Sequence, residues 1–403
     1  MGQLSIYLTP FASDYSGVCS ALFDLNAITA INDAGCCTSH YVYYDEPRWD
    51  DKVRPIFSTA LRNVDCILGN DEKIINVITE ASQNISGEMI SVVGTPVPAL
   101  IGMDMDGIAC EIEFRTGKPA FGFNTTGFEY YDKGIFAAGK ALIDRFAKKK
   151  EIVKGRVNIL GITPLDFGNC GNDKLLEEIL TENGFEIGCR FFMGITKEQI
   201  ENCASAEINL AVSSSGLKLA KYLNKKFKTP YVTGFPIGKE GVELLKKKIE
   251  LALNQNADPS CQKNEMSAND EKFSEGKLLK NQDEKKILVI EDQIIANSIR
   301  DSLKEKIPEG FEINVATFFD FDKEEASEGD IYFKEEADYL KLLKEEKFDI
   351  IISDPDILAV PGVEKIKRIE VVHPAVSSQL KWNETRLFDD EFIDDIAKRV
   401  CGF

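Results

Sequence analysis

Three of the ten cysteines fall within a short stretch near the N-terminus, at Cys19, Cys36 and Cys37. Cys19 stands in "SGVCS" and the other two in "AGCCTS", among small residues that are typical of a junction between a loop and a helix. Because unpaired N–H groups at a helix N-terminus lower the pKa of a nearby thiol, these cysteines are candidate thiolate ligands for an iron–sulfur cluster or zinc. A closed site needs about four ligands, so two subunits would have to contribute.

Six of the other seven cysteines are expected to have no chemical role. Cys66, Cys110, Cys189 and Cys203 lie within strand or helix patterns and are interpreted as small buried hydrophobes, which is also the alternative for the first three. Cys261 and Cys401 are expected to be free thiols. The N-terminus has no basic segment followed by a long apolar run, so we expect no signal peptide, a cytoplasmic location and reduced thiols rather than disulfides.

A loop with the sequence "GITPLDFGNCGNDK" (161–174) offers a second candidate site. It follows a predicted strand and precedes a helix, and ligands of open α/β sheets bind at that edge. Asn169 and Cys170 are therefore candidate cofactor-binding residues, with Asn172 beside them. The alternative is that the glycines and asparagines serve only the turn.

Acidic residues end two later predicted strands, in "ILVIEDQ" (287–293) and "FDIIISDPDI" (348–357). This arrangement resembles a receiver domain, in which such carboxylates hold Mg²⁺. The separation of Asp292 and Asp354 is longer than in that family, and acidic residues at these places also serve as helix N-caps.

Composition excludes several classes of function. The formal net charge of −19 argues against a nucleic-acid partner, which requires clustered Lys and Arg. No apolar run is long enough to predict a membrane span. The chain contains neither G-x-x-x-x-G-K-[ST] nor G-x-G-x-x-G nor G-x-S-x-G, and its two histidines, His40 and His373, exclude a His-rich metal site.

Short apolar runs alternate with amphipathic helical patterns throughout the chain, beginning with "VDCILGN" (64–70), which we interpret as a strand. This alternation predicts an α/β protein with three Rossmann-like domains, whose parallel sheets are flanked by helices. The polar segment 254–284 cannot bury enough surface to order itself and is expected to be a flexible linker. The expected domains are 1–150, which carries the three clustered cysteines, 151–253, and 285–403 with a C-terminal tail.

Several motifs, in order along almost the whole chain, resemble nitrogenase component 1 proteins, the family of nitrogenase subunits and their tetrapyrrole-reducing relatives. The family text C-x-x-x-G-A…H-G-x-x-G-C-x-x-Y resembles "CSALFDLNAITAINDAGCCTSHY", and T-C-P-x-x-L-I-G-D-D-I resembles "TPVPALIGMDMDGI". The resemblance places Cys19 and Cys36 at two ligand positions of a subunit-interface cluster, with His40 as a structural neighbour. Pro96 occupies the third ligand position, and Ser213 lies near the position of the cysteine that anchors the cofactor of true nitrogenases.

The resemblance implies a nitrogenase-like oxidoreductase rather than a true nitrogenase. Two thiolates from each chain of a homodimer, or from a homologous second subunit, would hold one [4Fe–4S] cluster, with Cys37 as a replacement or extra ligand. An ATP-binding iron-protein reductase would supply electrons through this cluster. The acceptor would be a second cofactor or a tetrapyrrole-like substrate in the interdomain cleft, where His373 falls loosely at a ligand position. The alternative is a non-catalytic scaffold or carrier for cofactor assembly on the same fold.

Overall fold

The protein is built from three parallel β-sheets, each flanked by helices, in a computed structural model that describes residues 5–49, 51–69, 71–257 and 284–402. The side chains of residues 255–257 are outside this description. Every strand pair within the three sheets is parallel. The predicted α/β fold class is therefore confirmed, because parallel strands of this kind need helical crossovers.

The first sheet has the strand order β2-β1-β3-β4. Its strands β1 and β3 are fully buried, as expected for a sheet covered on both faces. The elements of this part are α1 (Asp14–Leu22), β1 (Ala27–Ile31), α2 (Cys36–His40), β2 (Ile56–Ser58), α3 (Asn63–Leu68), α4 (Asp71–Asn84), β3 (Met89–Val93), α5 (Pro96–Leu100), α6 (Met105–Thr116), β4 (Ala120–Phe123) and α7 (Tyr131–Phe146).

The second sheet has the order β6-β5-β7-β8. Its central strand β5 pairs with β6 on one side and β7 on the other. The elements here are β5 (Val153–Ile162), α8 (Pro164–Phe167), α9 (Asn172–Glu182), β6 (Glu186–Phe192), α10 (Lys197–Asn202), β7 (Ala206–Ala211), α11 (Ser214–Phe227), β8 (Tyr231–Thr233) and α12 (Gly238–Ala257).

The third sheet has the order β11-β10-β9-β12-β13. Its strands β9 and β12 lie side by side at the centre. The elements are β9 (Lys285–Ile290), α13 (Gln293–Lys304), β10 (Phe311–Thr317), β11 (Ile331–Tyr332), α14 (Glu336–Glu345), β12 (Ile350–Ser353), β13 (Lys367–Glu370), α15 (Pro374–Ser377) and α16 (Asp390–Cys401).

The strand predicted over 64–70 is wrong, because residues 64–68 belong to helix α3. Asp65 accepts a hydrogen bond from the backbone N–H of Arg62 at 3.0 Å, as the third residue of a helix does in a capping box. Ile67 and Leu68 are exposed, so the apolar run is not a buried strand. Short apolar runs do not by themselves distinguish the two structures.

The predicted linker 254–284 falls mostly outside the described residues. Its first residues, 254–257, are the last turn of α12. Residue 284 immediately precedes β9. The linker and the domain boundaries therefore stay predictions.

The carboxyl ends of all three sheets meet at a common junction. Tyr131 begins α7 after β4, and its hydroxyl reaches Asp166, which follows β5, and His373, which follows β13. The backbone N–H of Ser214, which follows β7, donates to Asp292, which follows β9, at 3.0 Å. Because ligands of α/β proteins bind at such edges, this junction and the edge of the first sheet are the places where a site is expected.

Candidate functional site

Cys36 and Cys37 form a compact group of potential metal donors with Asp33. The two sulfur atoms and one carboxylate oxygen all lie within 4.8 Å of one another. Among the described residues, no other group of three or more His, Cys, Asp or Glu side chains has donor atoms this close together. The prediction that Cys36 and Cys37 lie where a loop meets a helix is confirmed, because α2 begins at Cys36.

The loop between β1 and α2 is held by Asp33 and Gly35. Gly35 has a φ of 115°, a conformation that favours glycine. The Asp33 carboxylate accepts from the backbone N–H and the hydroxyl of Thr38, both at 2.9 Å, and from the Ser58 hydroxyl at 2.6 Å. Since Asp33 is also buried, these bonds fix its carboxylate beside the two thiols.

The two adjacent thiols differ in environment. Cys36 is exposed, whereas Cys37 is half-buried near the Tyr15 side chain. Burial, together with neighbouring Cys36 and Asp33, raises the pKa of the Cys37 thiol to about 12. The expectation of a lowered pKa is therefore wrong for Cys37, because desolvation penalises its thiolate form.

Cys19 does not lie at a loop–helix junction, so that part of its prediction is wrong. It is the sixth residue of α1 and is 1% exposed. Burial, with smaller contributions from Glu46, Asp33 and Asp45, raises the pKa of its thiol well above the usual value. It is not a member of the donor group that Cys36 and Cys37 form.

His40 and Pro96 flank this edge of the first sheet. His40 lies 3.5 Å from the buried Asp45 carboxylate and stacks on Tyr44, in keeping with a structural role. Pro96 is the first residue of α5, and Thr95 before it donates its hydroxyl to the Asn32 carbonyl at 2.7 Å. Pro96 thus follows β3 at the same edge at which the cysteines follow β1, but it offers no ligating atom.

The loop after β5 places Asn169 and Cys170 at the surface. The Asn169 amide donates to Asp51 at 2.9 Å, and the Cys170 thiol contacts the Phe167 carbonyl at 3.6 Å. Neighbouring Asn172 is buried and donates its amide to that same carbonyl at 3.0 Å. These contacts stabilise the turn, as expected if the glycines and asparagines of this loop serve only the turn. The role of Asn169 and Cys170 in cofactor binding stays a prediction.

A buried cluster of ionisable residues at the junction of the three sheets was not predicted. His373 is its centre and is 1% exposed. Its Nδ1 contacts a Glu291 carboxylate oxygen, its Nε2 lies 3.0 Å from the Tyr131 hydroxyl, and Phe319 stacks on its ring. Both ring nitrogens are therefore engaged by the chain itself.

Carboxylates surround this histidine on several sides. The Tyr131 hydroxyl donates to Asp166 at 2.5 Å. Asp354 accepts from the His373 backbone N–H at 2.8 Å and from the Ser377 hydroxyl at 2.7 Å. The residues of the cluster come from segments up to 242 positions apart. The one feature of the sequence that pointed to it was the pair of polar segments that follow β9 and β12.

Burial and the attraction between opposite charges together set the protonation of the cluster. Desolvation raises the pKa of Asp354 to about 6 and that of Asp166 to about 7. The pKa of His373 rises to about 9 because the attraction of Glu291, Asp166 and Asp354 outweighs the opposing effect of burial. Groups with such displaced pKa values are concentrated at functional sites, although structural networks also produce them.

The acidic residues Asp292 and Asp354 serve the backbone. Asp292 caps α13 by accepting from the N–H of Ile294 at 3.0 Å, and it also binds the Ser214 N–H. Asp354 accepts from the N–H of Asp356 at 2.9 Å. The interpretation of Asp292 as a helix N-cap is confirmed.

The junction does not fit a resident cofactor held by Ser213 and His373. The Ser213 hydroxyl donates to the Gly161 carbonyl at 2.9 Å and accepts from the Gly216 N–H that it caps. His373 has no free ring nitrogen, as described above. A group bound to either residue would have to break these buried contacts.

Residues 26–378 match the family described as nitrogenase component 1 type oxidoreductase. The chain belongs to this family. The resemblance seen in the sequence is thereby confirmed. No helix within the described ranges is both long and apolar enough to cross a membrane.

Curated relatives have different named roles within this family. The nitrogenase iron-molybdenum cofactor biosynthesis protein NifE of Methanosarcina barkeri is 28% identical over 220 residues, which cover 51% of this chain and 45% of that protein. One of the subunits of the light-independent protochlorophyllide reductase of Crocosphaera subtropica is 23% identical over 198 residues, or 46% and 39% of the two chains. The chain thus matches less than half the length of these relatives.

A solved structure covers the whole chain. The one titled "Nitrogenase Cp1 at pH 6.5" matches with a TM-score of 0.69 and 13% identity, covering 100% of this chain and 94% of that one. At this identity the likeness supports the fold, including the parallel sheets of Rossmann-like type.

Proposed function

We propose that this chain is the substrate-side component of a two-component, nitrogenase-like reductase. It pairs with a second copy or a homologous subunit and passes electrons from a separate ATP-binding iron protein through a [4Fe–4S] cluster at the subunit interface. The observation that carries this proposal is the exposed Cys36 thiol at the carboxyl edge of the first sheet. A thiolate is the ligand that such clusters require.

Exposed apolar side chains support an interface at this edge. They belong to the segments that follow three neighbouring strands, β1, β2 and β3, of one sheet. Exposed apolar surface of this kind marks protein–protein contacts when it is extensive. We call this set the apolar edge; its members are Tyr43, Tyr44, Ile67, Leu68, Val97, Leu100 and Ile101.

The division of labour follows from what the chain carries. An iron–sulfur cluster, when bound, accepts and releases electrons. Cys36 and its counterpart on the second subunit would supply two of the cluster's ligands, and the apolar edge would exclude water around it. The sequence contains no P-loop motif, so ATP hydrolysis is assigned to the iron protein.

The electron acceptor is proposed to be a substrate that enters the junction, because the buried cluster around His373 does not fit a resident cofactor. Such a substrate must displace the contact between Tyr131 and His373. A tetrapyrrole-like substrate is favoured by the likeness to the protochlorophyllide reductase subunit.

A second candidate function is a scaffold that holds a cofactor during its assembly. The likeness to NifE, named as a cofactor biosynthesis protein, favours it. A scaffold would transfer a bound group to an acceptor protein, whereas a reductase would be reduced by an iron protein in an ATP-dependent manner. These two measurements on the same anaerobic preparation distinguish the candidates.

The test of the relay is the iron and sulfide content of anaerobically purified protein. The wild-type dimer should contain about four iron atoms and four sulfides and should bleach on reduction by the iron protein with ATP. Cys36→Ser should lose the iron and the visible absorbance, while Cys110→Ser, at an exposed cysteine on α6, should keep both. An unchanged iron and sulfide content in Cys36→Ser would contradict the proposal.

A further inference from the structure

We infer that Cys36, Cys37 and Asp33 of one chain together bind a single thiophilic divalent transition-metal ion, such as ferrous iron or zinc, without a partner subunit. The inference rests on the proposed function, in which the Cys36 edge is a metal centre, and it describes the single chain before it pairs, because an ion that takes three protein ligands is not an iron of a [4Fe–4S] cluster. It assigns Cys37, rather than Cys19, as the second thiolate of each chain, and it adds a carboxylate donor.

The spacing of the donors fits one ion. Metal–sulfur bonds of about 2.3 Å at a tetrahedral angle place two thiolates about 3.8 Å apart, and a thiolate and a carboxylate oxygen about 3.6 Å apart. The three donor atoms lie within 4.8 Å of one another. Because Cys36 is exposed, rotation of its side chain can close the remaining gap.

The Asp33 carboxylate is already oriented for this role. Its Oδ1 accepts from the hydroxyls of Thr38 and Ser58, but among the described residues its Oδ2 accepts only from the Thr38 N–H. A carboxylate oxygen has two lone-pair sites, so Oδ2 retains one for a metal. Partners that hold a ligand in this way are typical of metal sites and contribute to affinity.

Cys19 lacks these properties. It is 1% exposed inside α1, and its sulfur is not among the three donor atoms that lie within 4.8 Å of one another. Cys37, by contrast, is half-buried and directly follows Cys36. The two cysteines of a single turn therefore make the donor pair.

Binding exchanges protons for the ion. The divalent cation forms two metal–sulfur bonds, and the two thiol protons leave to solvent, as metal binding by thiols requires. No electron is transferred in this step. The bound ion carries the two thiolates and the Asp33 carboxylate, and a fourth position stays available to water or to a donor from a second subunit.

The test uses Co²⁺ as a spectroscopic probe, added to the anaerobic, metal-free 403-residue chain at concentrations where the chain is monomeric. We expect one Co²⁺ per chain, with thiolate-to-cobalt charge-transfer absorption and the visible bands of a four-coordinate ion, both displaced by Zn²⁺. Cys36→Ser and Cys37→Ser should each weaken binding at least about tenfold and halve the charge-transfer intensity. Asp33→Asn should weaken binding with that intensity intact.

Cys110→Ser is the matched control and should bind Co²⁺ like the wild type, and Cys37→Ala replaces Cys37→Ser if the latter misfolds. Wild-type binding in both Cys37 variants would overturn the inference, as would half an ion per chain that appears only in dimers. If the chain bound no cobalt but was still reduced by the iron protein, only the single-ion site would be contradicted. If the chain bound cobalt but never formed a dimer with an iron–sulfur cluster, only the proposed electron relay would be contradicted.

Discussion

The Tyr131 hydroxyl lies 3.0 Å from Nε2 of His373 and donates to Asp166 at 2.5 Å. One phenol thus joins a helix of the first sheet to residues that follow strands of the other two. All three side chains are buried, and Asp166 Oδ1 and His373 Nε2 have the Tyr131 hydroxyl as their hydrogen-bond partner. Buried networks of this kind are costly to interrupt, because water cannot replace the missing partner.

Tyr131→Phe should lower the free energy of unfolding by about 1–3 kcal/mol, because it leaves buried polar atoms of Asp166 and His373 without a partner. Tyr339→Phe is the matched control. Tyr339 is equally buried, but its hydroxyl has no hydrogen-bond partner among the described residues, so its loss should not lower the free energy of unfolding. Urea unfolding measures both, and equal effects would contradict a bridging role for Tyr131.

His373→Gln should change how stability depends on pH. The folded pKa of His373, about 9, is above the usual 6.5, so its contribution is complete below pH 6.5 and is lost as the pH rises through 9. The raised pKa values of Asp354 and Asp166 also stabilise the folded protein at low pH. Their contributions are already lost once the pH has passed about 6 for Asp354 and about 7 for Asp166. Above pH 7, His373 is therefore the one of the three that still changes.

Lys218 has the opposite effect on the pH dependence, because burial lowers its pKa to about 7. The folded protein therefore gains stability as the pH rises above about 7 and Lys218 loses its proton. The measurement is therefore the difference between wild-type and His373→Gln unfolding curves, since Lys218 is common to both. The wild type should lose its advantage progressively between pH 7 and 9. A difference that stays constant over this range would contradict a protonated His373.

The fold could be predicted because its signals are local in sequence. Buried strands such as β3 and β12 are short apolar runs, and amphipathic helices such as α11 follow their strands directly. The error at α3 arose where an apolar run stays exposed and Asp65 caps a helix. The sequence pattern alone does not show which apolar residues become buried against another element.

The candidate metal site could be predicted in part because two of its residues are adjacent in the sequence. Cys36 and Cys37 lie in one turn, whereas the cluster around His373 joins residues that are distant in sequence. Cys19 was misplaced because small neighbours were interpreted as a loop. Gly17 is small because α7 packs closely there: a Cβ at Gly17 would lie 2.0 Å from the Tyr131 carbonyl oxygen.

Cys19→Ala should therefore act on packing and leave the metal content unchanged. Removing one buried sulfur should cost about 1 kcal/mol of unfolding free energy, comparable to the loss of one methyl group. Iron and sulfide per dimer should match the wild type in anaerobic protein. A stable Cys19→Ala protein that has lost its iron would show that Cys19 is a ligand, as its resemblance to the family position implies.

Leu100→Asp should weaken pairing of two chains through the apolar edge. Leu100 is 75% exposed on α5, which follows β3 at the edge that also carries Cys36. A carboxylate left unpaired in an apolar interface costs more than the 1.4 kcal/mol that corresponds to a tenfold change, so the dissociation constant of the dimer should rise at least about tenfold. Phe114→Asp is the control, because Phe114 is 84% exposed near the far end of α6. Sedimentation of both variants measures the effect, and equal weakening by the two would place the contact elsewhere.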